Sequence, residues 1–162
     1  MSTRVAVIAD THMPRGARRL PDACVERLAA ADLILHAGDV VEASVLRDLG
    51  TLAPLYTVHG NIDEPELKQL LPEERIVEVD GVRIGMVHIP GPPAGRAERL
   101  VRRFPGCEAV VYGHTHIPEV TQHGGVWILN PGSPTERRRA PTRTMLMLRI
   151  EEATIEPELV EL

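Results

Sequence analysis

Aromatic residues are nearly missing from this chain, with Tyr56, Phe104, Tyr112 and Trp127 as the whole supply. That scarcity argues against a platform on which nucleic-acid bases stack. Lysine occurs once, at Lys68, and the formal charge of −5 leaves no basic footprint for a nucleic-acid binder. There are two cysteines, Cys24 and Cys107, each alone and far from the other. Neither a disulfide framework nor a zinc ribbon fits that spacing, and both read as small core residues. No stretch approaches the ~20 apolar residues that span a bilayer. Val5 to Ala9 is too short for the apolar core of a secretory leader and lacks a cleavage region after it. The expectation is a cytoplasmic protein without membrane contact, one domain over residues 1–162, with 43% hydrophobic residues to build a core.

The first half alternates short apolar runs with amphipathic stretches, the pattern of βαβ units and a largely parallel sheet. Arg4 to Ala9, Leu33 to His36 and Leu55 to His59 read as strands. Helices are expected from Pro21, over Glu42 to Leu52 and around Pro65 to Leu71, with proline suited to a first helical turn. The second half favours hairpins. Arg75 to Val79 and Val82 to Val87 flank Asp80-Gly81, a strong two-residue turn signal, and Glu119 to Gln122 and Val126 to Leu129 flank His123-Gly124-Gly125. Ala97, Leu100, Val101 and Phe104 mark one face of a helix, Ala109 to Tyr112 is a buried strand, and Thr144 to Ile150 with Ala153 to Val160 closes the chain as a strand pair.

Polar residues collect where these strands end. Asp10 and His12, Asp39, Asn61 and Asp63, His88, and His114 and His116 follow five different strands. In an open α/β sheet, ligands bind in the crevice beyond the carboxyl ends of the strands, so these side chains should converge. Carboxylate oxygens with imidazole nitrogens suit first-row divalent metals, and the lack of thiolates disfavours a structural zinc site. If the chain stays extended through Gly113-His114-Thr115-His116, the two imidazoles project to one side, toward one pocket.

The ordered set Asp10-Thr11-His12, Gly38-Asp39, Gly60-Asn61 and Gly113-His114-Thr115-His116, followed by Asn130-Pro131-Gly132-Ser133, resembles the calcineurin-like metallophosphoesterases. Within that superfamily it is similar to the small single-domain phosphodiesterases of the YfcE type. The resemblance covers almost the whole chain. It implies an α/β fold, a four-layer α/β/β/α sandwich of two mixed sheets. It also implies two divalent ions, manganese foremost, with nickel, cobalt, iron or zinc also admitted. Asp10, His12 and His116 would hold one ion, and Asn61, His88 and His114 the other. Asp39 would bridge them, since one carboxylate can span cations ~3.5–4 Å apart. Asp39, Asn61 and His114 carry the implied catalysis, in which a metal-bridging hydroxide attacks a small phosphodiester.

The sequence departs from the family at two places. Many larger members carry a histidine after the Gly-Asn pair, where it is thought to protonate the leaving group; Ile62 stands here, and the smaller phosphodiesterase group often lacks that histidine too. Relatives also tend to place glycine directly after the histidine that corresponds to His88, where this chain has Ile89. Asp63 admits two readings, a support for the ligands or the N-cap of the helix after Glu64-Pro65. Thr115, His36, His59 and His123 read as ordinary local structure. Arg137-Arg138-Arg139 and the group Arg15, Arg18 and Arg19 read as solvated loop residues, with phosphate steering as the alternative. The expected partner is a small phosphoester, and a homo-oligomer is left open. The alternative functions are a phosphomonoesterase and a non-catalytic protein-binding scaffold, as in the retromer subunit of the same fold.

Overall fold

The computed structural model describes residues 2–162. Two five-stranded mixed sheets form its centre. β1 (Thr3–Ile8), β2 (Leu33–His36) and β3 (Leu55–Thr57) run parallel, and β9 (Thr144–Glu151) and β10 (Thr154–Glu161) complete the first sheet in the order β10-β9-β1-β2-β3. The second sheet, in the order β4-β5-β6-β8-β7, joins β4 (Glu74–Val79), β5 (Val82–Val87), β6 (Ala109–Tyr112), β8 (Val126–Asn130) and β7 (Glu119–His123). Its central pairs β5·β6 and β6·β8 are parallel, and both edges are antiparallel.

Why the strands read as unbroken apolar runs is clear from what covers them. Along β1, Val5 and Val7, with Leu148 of the neighbouring β9, face Ile84, Met86 and Val111 between the two sheets, while Ala6 and Ile8 face the other way onto a core with Cys24, Leu28, Val45 and Leu49. That outer core is made with α1 (Asp22–Ala30), α2 (Ala43–Gly50) and α3 (Pro65–Leu70). On the far side, Val87, Val110 and Ile128 pack against Leu100 of α4 (Arg96–Arg103) and Phe104 at its C-cap. Strands covered on both faces have no polar alternation to show. The result is the expected four-layer sandwich. Both cysteines are buried and free, Cys24 with its thiol pushed up to about 12 by burial.

Differences from the sequence-based expectations lie at element ends. β1 stops at Ile8 and β3 at Thr57, α2 is shorter than Glu42 to Leu52, and His123 belongs to β7. Pro21 precedes α1 at its N-cap rather than entering its first turn. The first hairpin turns on Asp80-Gly81 with φ of 47° and 80°, and the second on Gly124-Gly125 with φ of 57° and 80°. Paired positive φ values match the right-handed twist of the flanking strands. No helix among the described residues is long and apolar enough to cross a membrane.

Candidate metal centre

The site forms where sheet hydrogen bonding outlasts the strands. Beyond β1 and β2, Asp10 N–H donates to Gly38 O at 3.0 Å and His12 N–H to Asp39 O at 3.1 Å, which lays Asp10 and His12 beside Asp39. In the second sheet, Gly113 N–H donates to His88 O at 3.1 Å and brings the ends of β5 and β6 together. The two sheets meet through Asp10, whose Oδ2 accepts from His114 N–H at 2.9 Å. Asp10, His12, Asp39, His114 and His116 all have positive φ, between 47° and 75°. L-residues adopt that region at a cost of about 1–3 kcal/mol each, and such residues cluster at functional sites.

Positive φ at His114 and His116 overturns the expectation of an extended chain there. Each residue turns the backbone, and the two rings part. His116 stands edge-on to His12 with ring centroids 4.9 Å apart, whereas His114 stands edge-on to His88 at 5.3 Å.

At the centre, Asp10 Oδ1 lies 3.4 Å from His116 Nε2 and 3.7 Å from both His12 Nε2 and His88 Nε2. Asp39 Oδ2 lies 3.0 Å from His88 Nε2 and 3.4 Å from His12 Nε2, so this oxygen touches both halves. Five of the expected residues, Asp10, His12, Asp39, His88 and His116, are thus buried around one point. Asn61 and His114 are exposed at its rim, joined to each other by His114 Nδ1 and Asn61 Oδ1 at 3.2 Å.

The donor atoms fit cations. Among the described residues, Asp10 Oδ1, His12 Nε2 and His88 Nε2 are buried without a hydrogen-bond partner, although unpaired buried polar atoms are costly and rare. Two triplets, Asp10 with His12 and His116, and Asp10 with Asp39 and His88, each bring their ligand atoms within 4.8 Å of one another. Burial pushes the Asp10 carboxyl up, but His116, His12 and His88 outweigh it and hold the group at about 2. Burial likewise pushes the His12 imidazole down, and Asp10 with Asp39 reverses that, raising it to about 9. Asp39 is lowered by His12 and His88 against its own burial, and His88 is raised by Asp39 and Asp10 against its burial. His114 is lowered, first by burial and then by the charge on His88.

Supporting residues lock these groups. His88 Nδ1 lies 2.7 Å from Ala37 O and donates to it, which leaves Nε2 as the open atom. Asp63 resolves to a single role: its carboxylate takes the N–H groups of Asp39 at 3.1 Å, Gly60 at 2.7 Å and Val41 at 2.7 Å. It does not cap α3, where Glu64 holds the N-cap position without a side-chain bond. His36 is a satisfied buried histidine, with Nδ1 accepting from Gly38 N–H at 3.1 Å and Nε2 beside Thr11 Oγ1 at 3.1 Å; burial pushes it down to about 4. Thr115 Oγ1 is held by Asn130 Nδ2 at 3.0 Å, a local role as expected. His59 lines a small slot with Asn61, Lys68 and His88. Of the arginines read as solvated, Arg138 and Arg139 border an open cavity of about 570 Å³ beside His114.

Sequence reasoning missed Glu136. Its Oε2 is 3.4 Å from His12 Nδ1, 3.9 Å from His116 Nδ1 and 3.5 Å from Arg18 Nη2. Its sole signal was its place three residues after Ser133. The Asn130–Ser133 motif matters because Ser133 Oγ donates to Asp10 O at 2.9 Å and Thr135 Oγ1 to Thr11 O at 2.8 Å, which fastens this segment to the first motif.

Known proteins resemble the chain over nearly its full length. Residues 3–153 match the family model described as calcineurin-like phosphoesterase superfamily domain. A probable metallophosphoesterase of Methanothermobacter thermautotrophicus is 35% identical over 160 residues, covering 96% of this chain and 91% of that protein. Among solved structures, a Thermotoga maritima protein is 33% identical with a TM-score of 0.78, covering 99% of both chains. Vps29 of Entamoeba histolytica, solved in complex with Zn²⁺, is 25% identical with a TM-score of 0.78, covering 98% of both chains.

Proposed function

The chain belongs to the calcineurin-like phosphoesterase superfamily, and from that membership we propose that it is a dinuclear metal-dependent phosphodiesterase acting on small phosphodiesters. The observation that carries this reading is the convergence of Asp10 Oδ1, His12 Nε2 and His88 Nε2, buried and unpaired, on one point. Asp10, His12 and His116 would hold one divalent ion, Asn61, His88 and His114 the other, with Asp39 between them. Ions held there would supply Lewis acidity toward the phosphoryl oxygens and toward water. Nitrogen and oxygen donors admit manganese, nickel, cobalt, iron or zinc, and the Zn²⁺ complex of the Entamoeba histolytica Vps29 is in keeping with that range.

The remaining steps fall to side chains of this protein. Hydroxyl groups near the centre are committed elsewhere: Thr11 to His36, Ser133 to the Asp10 carbonyl, Thr115 to Asn130. None is free as a covalent nucleophile, so attack comes from solvent. Asn61 adds a neutral oxygen at the rim, which limits the negative charge facing a phosphate. His114, lowered and exposed, offers its imidazole as a ligand at the same rim. Ile62 carries no proton for the departing alcohol, so leaving-group protonation falls to water.

The test is hydrolysis of bis(p-nitrophenyl) phosphate after dialysis against chelator and repletion with Mn²⁺, Ni²⁺, Co²⁺ or Zn²⁺. The reading fails if no metal restores turnover that Asp39→Ala or His114→Ala removes. A protein-binding scaffold is the second reading, favoured by Ile89 and Ile117, each 47% exposed, next in sequence to His88 and His116. Against it stands the buried, unpaired donor set, for which a scaffold has no chemical use.

A further inference from the structure

The two halves of the centre are oriented by different means. His88 is held by main chain, through Nδ1 at 2.7 Å from Ala37 O. His12 and His116 instead turn their Nδ1 atoms toward a side chain, with Glu136 Oε2 at 3.4 Å and 3.9 Å. Both rings are strung between two carboxylates, since their Nε2 atoms face Asp10 Oδ1 at 3.7 Å and 3.4 Å. Glu136 Oε2 and His116 Nδ1 are themselves buried without a hydrogen-bond partner among the described residues. The rings stand edge-on, 4.9 Å apart at 77°, so one oxygen can serve both.

We infer that Glu136 is a positioning residue whose carboxylate accepts from Nδ1–H of His12 and His116 and so presents their Nε2 atoms to one metal position and not the other. The inference rests on reading the centre as a metal site. A histidine ligand donates its second N–H to a carboxylate or carbonyl, which fixes both tautomer and ring direction. At 3.4 Å the His12 contact is longer than a closed hydrogen bond, and a shift of about half an ångström closes it. Glu136 is delivered by a fastened segment: its N–H donates to Ser133 Oγ at 3.0 Å, and Ser133 Oγ donates to Asp10 O at 2.9 Å. Arg18 Nη2 at 3.5 Å and Arg138 Nε at 3.4 Å offset the cost of a third carboxylate so near Asp10 and Asp39.

Zn²⁺ titration of chelator-treated protein against a competing chelator, paired with long-range ¹H–¹⁵N spectra of the histidine rings, tests this. In the wild-type chain two ions bind, and His12 and His116 carry the proton on Nδ1. Glu136→Ala should weaken one ion by about 10–100-fold, leave the other within about threefold, and perturb the signals of His12 and His116 but not His88. Glu136→Gln keeps an acceptor oxygen and is nearly isosteric. It should retain the Nδ1–H signals and lose less affinity than the alanine variant, and it carries the test alone if Glu136→Ala does not fold. Equal weakening of both ions, unchanged affinity in Glu136→Ala, or loss of the Nδ1–H signals in Glu136→Gln overturns the inference. Wild-type protein that binds no Zn²⁺, Mn²⁺, Ni²⁺ or Co²⁺ overturns the metal-site reading beneath it, a separate outcome.

Discussion

The Asp63 carboxylate holds Asp39 by its backbone: Oδ2 accepts from Asp39 N–H at 3.1 Å and from Gly60 N–H at 2.7 Å, while Oδ1 takes Val41 N–H at 2.7 Å. One buried side chain thus joins the loops after β2 and β3 and presents Asp39 in its left-handed conformation. Asp63→Ala leaves three buried N–H groups unpaired, and a loss of about 2–5 kcal/mol in folding stability is expected. Urea unfolding of the metal-free protein measures it. A change below about 1 kcal/mol would show that water replaces the carboxylate.

Gly60 lies directly against Asp39. A Cβ there would fall 2.0 Å from Asp39 Oδ1 and 2.6 Å from Asp39 N, both closer than any tolerated contact. Gly60→Ala should therefore displace Asp39 and lower kcat/KM about 100-fold or more, as misplacement by about 1 Å does elsewhere. The variant should keep its fold, because the clash is confined to a loop. Near wild-type turnover of bis(p-nitrophenyl) phosphate by a folded Gly60→Ala protein would refute the expectation.

How far the sequence discloses this site depends on the kind of interaction. Strands such as Val5–Ile8 and Ala109–Tyr112 are legible because helices and the opposing sheet cover both faces, and burial leaves its mark on every residue. Residues at the strand ends are legible as an ordered set, since the chemistry restricts them to carboxylate, imidazole and carboxamide. The positive φ at both His114 and His116 is not legible in Gly-His-Thr-His, although the family resemblance already assigns the two histidines to different ions. Nor is Glu136, which reaches His12 through a loop 124 residues further along the chain, fastened by the hydroxyls of Ser133 and Thr135. Periodicity reports which face is covered; it is silent on which loop carboxylate meets which ring.

Metal uptake should release protons. Burial lowers the His12 imidazole, but Asp10 and Asp39 more than reverse this, lifting it from 6.5 to about 9 in the metal-free chain. At pH 7 the folded, metal-free protein therefore keeps a proton that the unfolded chain mostly lacks. That contribution to stability is full below pH 6.5 and disappears as pH rises through about 9. A cation needs the neutral ring, so binding at pH 7 should expel about one proton from His12, with His88 adding to the release. Apparent affinity should rise by up to about tenfold per pH unit toward pH 9 for each proton displaced. Calorimetry in buffers of differing ionisation enthalpy counts these protons, and binding heats independent of buffer would contradict the scheme.

Leaving groups give the last test, since Ile62 stands beside Asn61 where a proton donor would serve the departing alcohol. Its side chain cannot supply one, yet its N–H donates to Asp39 Oδ1 at 3.0 Å, so the main chain at this position still supports the site. Rates should then fall steeply as the alcohol becomes more basic: bis(p-nitrophenyl) phosphate should be cleaved readily, and alkyl diesters far more slowly. Ile62→His leaves the backbone contact in place and sets an imidazole next to Asn61 in the chain. General acid catalysis contributes about 10²–10⁴-fold where it operates, so the variant should accelerate alkyl leaving groups while barely changing p-nitrophenolate. The comparison is of kcat/KM across a series of aryl and alkyl esters. A wild-type enzyme already insensitive to leaving-group basicity would mean that another residue, with the half-buried His59 of the adjoining slot the first to examine, delivers the proton.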